Sequence, residues 1–175
     1  ARSRLILDRP FLGALVLRLP MQATDASWCP TTAADARKIY FNPKYLDSLS
    51  LSQIEFALAH EALHCALAHF ARRQYRDKRR WDIACDLAVN PLLIDDGLTP
   101  PPDILYLPDY LGLSAEEIYP LLEDNPEEEP HDRHLYDAES QDRNQPQRRT
   151  QDNSGCSAEA VLPPQALNPT ERAQL

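Results

Sequence analysis

The sequence predicts an α+β domain, mainly helical with a small sheet, followed by a disordered polar tail. Three observations predict it. Apolar residues recur at helical spacing from about residue 50 to 73 and again from about 80 to 94. Short apolar runs at 11–19 and 37–41, each closed by a proline or an Asn-Pro pair, read as strands. After Glu123 aliphatic residues thin out and no period is sustained.

Residues 3–9 read as a short helix ending near Asp8-Arg9-Pro10, because a proline disfavours helical backbone in the residue before it. Phe11 to Leu19 is a continuous apolar run closed by Pro20, a buried strand with a helix as its rival. Met21 to Ala36 is small and polar without periodicity, so mostly loop. Arg37-Lys38-Ile39-Tyr40-Phe41 is a short strand stopped by Asn42-Pro43; as an edge strand it would hold an extended peptide by strand addition.

Ser50 or Ser52 opens the main helix, and Ser52-Gln53-Ile54-Glu55 has the capping-box form. Ile54, Ala57, Leu58, Leu63, Leu67 and Phe70 keep helical spacing, which carries this helix to about Arg73. The cations from Arg72 to Arg80 read as a solvated turn, with a patch for an acidic partner as the alternative. A second helix runs from Arg80 or Trp81 to Ile94, and Pro91 inside it is expected to kink or end it. Ser114-Ala115-Glu116-Glu117 is another capping box and opens a short helix. The domain is thus expected to span 1–123. Residues 124–175 form an acidic, polar tail or interdomain linker that cannot bury enough apolar surface to offset its ordering entropy. Within it, His131-Asp132-Arg133-His134 is rich in ligand-type residues but reads as solvated chain.

Composition narrows the function. The chain has 175 residues, 43% of them hydrophobic, enough for one core with some excess chain. Its net charge of -9 is unevenly placed: 16 acids against 13 Lys/Arg in residues 1–123, but 11 acids against five Arg in 124–175. That surplus argues against nucleic-acid binding. No apolar run is long enough to span a bilayer, so no membrane association is expected. Four cysteines without a C-x-x-C pair and the lack of a signal-peptide pattern lead to a cytoplasmic expectation.

The chemistry centres on His60-Glu61-Ala62-Leu63-His64. Each helical residue turns about 100°, so His60 and His64 share one face a turn apart and can grip one divalent cation, with Glu61 beside them as a general base. Such a centre, most simply Zn2+, needs a third protein ligand and an open position for water. His69 lies five residues past His64, about 500° along a straight helix, and would point some 140° away. It is therefore expected at the surface or as a partner of a ligand. Asp82, Asp86 and Asn90 recur every four residues as a polar stripe on an otherwise apolar helix, which favours Asp86 as the third ligand and Asp82 or Asn90 as support. The expected activity is a zinc-dependent hydrolase acting on a peptide or protein. The alternative is a non-catalytic metal-binding or partner-binding module of a larger protein.

Several pieces together resemble a known family: Pro10-Phe11-Leu12-Gly13, Ile39-Tyr40-Phe41-Asn42-Pro43, Ala59 to His64 with Ala68-His69 and Arg72, Trp81 to Asp86 with Asn90, and Gly112 to Tyr119. This combination is similar to a metallopeptidase domain found N-terminal to von Willebrand factor A-like domains in bacterial proteins. The resemblance implies a zincin-like fold, His60 and His64 as zinc ligands, Glu61 as the catalytic group, and a von Willebrand factor A-like domain as a C-terminal partner. It also leads to the expectation of a glycine-containing turn where this chain has Ala34-Asp35-Ala36.

Overall fold

The computed structural model describes residues 1–102, 104–122 and 133–136. The first two helices, α1 (Arg2–Asp8) and α2 (Pro10–Arg18), form a tight pair. The run at 11–19 is therefore helix and not strand. Pro10 occupies the first turn, where its missing N–H is no loss. Leu12 and Val16, a turn apart, are buried while Phe11 and Leu17 stay 70% and 48% exposed. A continuous apolar run hides that one-sided pattern. Gly13 lets the pair close: a Cβ there would stand 2.6 Å from the Ile6 backbone.

The stretch expected to be loop holds two strands, β1 (Met21–Ala23) and β2 (Thr32–Ala34). Each is only three residues of mostly small side chains, too short to show alternation. The expected strand at 37–41 is β3 (Ile39–Phe41), but it is not an edge. It pairs in parallel with β1, Met21 opposite Ile39, and antiparallel with β2, Ala33 opposite Tyr40. Strand addition at this strand is thereby excluded, since both of its sides are occupied. Between β2 and β3 the expected turn is built without glycine. Ala36 takes φ 67, and Asp35 Oδ1 accepts from the Arg37 and Lys38 amides at 2.9 Å each.

Helix α3 (Pro43–Ser48) is capped by Asn42, whose side chain accepts from the Lys44 amide at 3.0 Å. The main helix, α4 (Leu51–Ala66), opens with a capping box formed by Ser50 and Gln53, not by Ser52 and Glu55. Glu55 is buried instead and pairs with Arg4 at 3.4 Å. After a break at 67–68 comes the single turn α5 (His69–Arg72), then α6 (Lys78–Asp95). Pro91 sits inside α6 without ending it. Proline removes one N–H and crowds the carbonyl four residues back, but Val89 and Leu93 on either side are fully buried and hold the helix on course. Ser114 and Glu117 form the expected capping box of α7 (Ala115–Ile118).

One core cluster joins α1, α2, α4 and the second half of α6 around Leu5, Val16, Phe56, Leu58 and Leu93. A second lies between α6 and α7 around Trp81, Leu87 and Ile118. Among the described residues no helix is long and apolar enough to cross a membrane. Inside the stretch expected to be tail, β4 (Arg133–His134) adds a fourth strand, parallel to β2 with Ala33 opposite Arg133. The order across the sheet is β1-β3-β2-β4. The rest of that stretch, including His131 and Asp132, lies outside the described residues.

Candidate metal centre

Buried side chains from α4 and α6 meet at one point. His60 and His64 present their Nε2 atoms to each other at 2.9 Å. Asp86 Oδ1 lies 3.6 Å from His60 Nε2 and 3.5 Å from His64 Nε2. All three residues are at most 2% exposed, as is Glu61 on the same turn of α4. In tetrahedral zinc, ligand bonds of about 2.0–2.1 Å put donor atoms about 3.3 Å apart. The three separations of 2.9, 3.5 and 3.6 Å straddle that value. Two imidazole nitrogens and a carboxylate oxygen are a donor set suited to a borderline divalent cation. A carboxylate in an apolar interior is also costly without such a counter-charge. The residues fit the metal that the sequence implied.

The next ring of contacts sets which nitrogens face the centre. His60 Nδ1 is 2.8 Å from Asn90 Oδ1, while Asn90 Nδ2 donates to the Leu105 carbonyl at 2.8 Å. The carbonyl can only accept, so it fixes the Asn90 amide with its oxygen toward His60. His60 Nδ1 therefore carries the proton, and its Nε2 lone pair faces Asp86. Asn90 thus contacts the His60 ring on the side away from Asp86.

His69 is not at the surface. It is 2% exposed, and its Nδ1 lies 3.1 Å from His64 Nδ1. The straight-helix argument fails because α4 stops. Ala68 adopts φ 54 and ψ 34, a left-handed conformation at a non-glycine residue. Arg72 Nη1 donates to the Leu67 carbonyl at 2.8 Å, and Trp81 Nε1 donates to the His69 carbonyl at 3.0 Å. Arg72 is held in turn by two hydrogen bonds to Glu116, that from Nε being 2.9 Å. These contacts return His69 to the back of His64, where it is a partner of that ring and not a member of the Asp86 group.

The polar stripe on α6 divides. Asp86 and Asn90 face the histidines, but Asp82 does not join them. It accepts from Tyr136 Oη at 2.5 Å and from Lys78 Nζ at 3.2 Å. Burial, with the negative charge of Asp82 next, raises the Tyr136 hydroxyl well above its ordinary pKa, so Tyr136 stays the proton donor in this pair.

Sequence reasoning missed Cys85. Its thiol joins His64 and His69 in a second triad with donor atoms within 4.8 Å of one another. Burial, followed by the charges of Asp82 and Asp86, pushes this thiol well above its ordinary value. Nothing in the spacing marked it, because a residue adjacent to Asp86 projects about 100° around the helix and the break that brings in His69 is needed to complete the group.

Comparison with known proteins agrees with a metal-centred reading. Residues 1–174 match a protein family described as "Putative metallopeptidase domain". A relative from Thermotoga maritima, named "Uncharacterized protein", is 29% identical over 106 residues, covering 51% of this chain and 26% of the relative. The chain thus corresponds to about a quarter of that longer protein's length. No solved structure matches.

Proposed function

We propose that this chain, which belongs to the putative metallopeptidase domain family, is a zinc-dependent peptidase with His60, His64 and Asp86 as ligands and Glu61 as its general base. The single observation that carries this is the convergence of His60 Nε2, His64 Nε2 and Asp86 Oδ1 within 3.6 Å, beside a fully buried Glu61. When bound, zinc supplies the positive charge that acidifies a water and polarises a carbonyl. The chain supplies the rest. Glu61 accepts the proton of the attacking water and hands it to the leaving amine. Asn90 holds His60 in the ligating tautomer, and His69 does the same for His64 by accepting from Nδ1–H. Among the described residues His60, His64 and Asp86 would hold the metal with three donors, and a catalytic metal would take its water at a position that these three do not fill.

On this reading residues 1–123 are a zincin-like catalytic domain. The later residues, apart from the docked 133–136, link it to a partner such as a von Willebrand factor A-like domain. The setting on this reading is the cytoplasm.

One observation favours a second reading, a non-catalytic metal-binding module. His64, His69 and Cys85 offer two nitrogens and a sulfur, the donor types from which structural zinc sites are built. Metal content and peptide cleavage of the wild type beside Glu61→Gln and Cys85→Ser separate the two. The catalytic reading expects Glu61→Gln to keep its zinc and lose cleavage by about 100-fold or more. It expects Cys85→Ser to keep both. Wild type purified without chelator and free of zinc overturns the catalytic reading, and zinc lost in Cys85→Ser selects the module.

A further inference from the structure

Residues 133–136 sit against the domain as a bound peptide would. β3 takes one side of β2, so the other side is an edge whose backbone groups are open to an added strand. β4 fills it with two parallel pairings, and the next amide, that of Leu135, donates to the Ala34 carbonyl at 3.0 Å. Leu135 then packs on the buried cluster of Cys29, Ala33 and Tyr40, which Trp28 also covers, its ring edge-on to Tyr40 with centroids 5.2 Å apart. One residue later Tyr136 crosses to α6. Its hydroxyl donates to Asp82, the Arg73 guanidinium lies 4.6 Å from its ring centroid, and the Lys78 ammonium lies 5.3 Å away.

These are two seats of different chemistry at the spacing of adjacent residues. The first, built on Cys29, Ala33 and Tyr40, is apolar and takes an aliphatic side chain. The second offers a buried carboxylate to a phenolic hydroxyl and two cations to the ring, which favours tyrosine over phenylalanine or leucine. Backbone pairing supplies sequence-independent affinity, and the seats supply selectivity. Among the described residues the attachment spans 133–136, a length that suits exchange.

We propose that the outer edge of β2, together with the Asp82 seat on α6, is a docking site for an extended peptide carrying an aliphatic residue followed by tyrosine, and that Leu135-Tyr136 of this chain is its resident occupant. The site adjoins both helices of the candidate metal centre: β2 packs on α4, and Asp82 is one turn from Asp86. Peptide docking there does not depend on the peptidase reading.

The test is a fluorescein-labelled peptide copying residues 131–140, titrated by anisotropy into two full-length chains. Both carry Glu61→Gln so that the probe is not consumed. One is otherwise unchanged; the other also carries Leu135→Asp and Tyr136→Ala, which empties the site. A tethered occupant competes at about millimolar effective concentration, so the emptied chain is expected to bind at least about tenfold more tightly. A probe with the same two residues replaced is expected to bind neither chain. Tyr136→Phe alone keeps the ring and loses the hydroxyl, and an intermediate affinity is expected. It decides the matter if circular dichroism shows the double variant unfolded. Equal affinity of occupied and emptied chains, binding of the probe with the two residues replaced, or a Tyr136→Phe chain indistinguishable from its parent overturns the proposal. Cleavage and zinc content are read on separate samples, so failure of the peptidase reading leaves this result standing.

Discussion

Asn90 Oδ1 lies 2.8 Å from His60 Nδ1, which leaves the His60 Nε2 lone pair facing Asp86. Removing such an orienting contact typically weakens metal affinity by about 10–100-fold. Asn90→Ala should therefore raise the zinc dissociation constant by about that factor in a competitive chelator titration. Asn90→Asp, which still accepts from Nδ1–H but gives up the donor to the Leu105 carbonyl, should recover part of the loss. Equal affinity in the alanine variant and the wild type would sink the tautomer argument.

Asp86 and His69 are separated by a direct comparison. Asp86→Ala removes a proposed ligand, whereas His69→Ala removes a group that stands behind His64 at 3.1 Å. Zinc content after dialysis should fall to near zero in the first and only partly in the second. The reverse order would assign the metal to the triad containing Cys85.

The left-handed residues make a prediction about stability. Ala36 and Ala68 adopt φ 67 and φ 54, where a side chain costs about 1–2 kcal/mol that glycine avoids. Glycine gives back about 0.5–1 kcal/mol through its unfolded-state entropy. Ala36→Gly and Ala68→Gly should each be neutral to about 1 kcal/mol stabilising in chemical denaturation, against the usual sign for Ala→Gly. Gly13→Ala should act oppositely. Its new methyl would meet the Ile6 backbone at 2.6 Å, and overpacking of this kind costs about 1–3 kcal/mol.

Acid should act through Glu116. Burial alone would raise its carboxyl, but the hydrogen bonds and charge of Arg72 outweigh this and hold it below the ordinary glutamate value. A lowered carboxyl stabilises the fold above the unfolded-state pKa, and that contribution is lost as pH falls through the folded value. Glu116 holds Arg72, and Arg72 caps the Leu67 carbonyl, so acidification should loosen the α4–α5 break first. Thermal midpoints recorded from about pH 6 down to about pH 3 should show a fall that is shallower in Glu116→Gln. Parallel curves would remove Glu116 from the account.

Much of the centre was legible because helical periodicity is local. His60, Glu61 and His64 follow from one turn of one helix, and the stripe placed Asp86 and Asn90 on a common face before any contact was known. What was misread depended on distant residues. The end of α4 at Ala66 carries no glycine or proline signal; it is stabilised by Arg72, Glu116 and Trp81, as far as 50 residues along the chain from that end. Asp82 looked like a companion of Asp86 because its true partner, Tyr136, lies in a stretch whose composition suggested no structure. The 11–19 run reads as strand before helix because Phe11 and Leu17, exposed in the fold, fill the gaps that would reveal a helical face.

The contact between Asn90 and the Leu105 carbonyl has an evolutionary consequence. A peptide oxygen belongs to every residue type, so position 105 bears on His60 through its backbone and Asn90, whatever its side chain. A change that slides that oxygen by a fraction of an ångström would alter the basicity of His60 without touching any ligand. A substitution at 105 can therefore reach His60 while every side chain of the candidate centre stays the same.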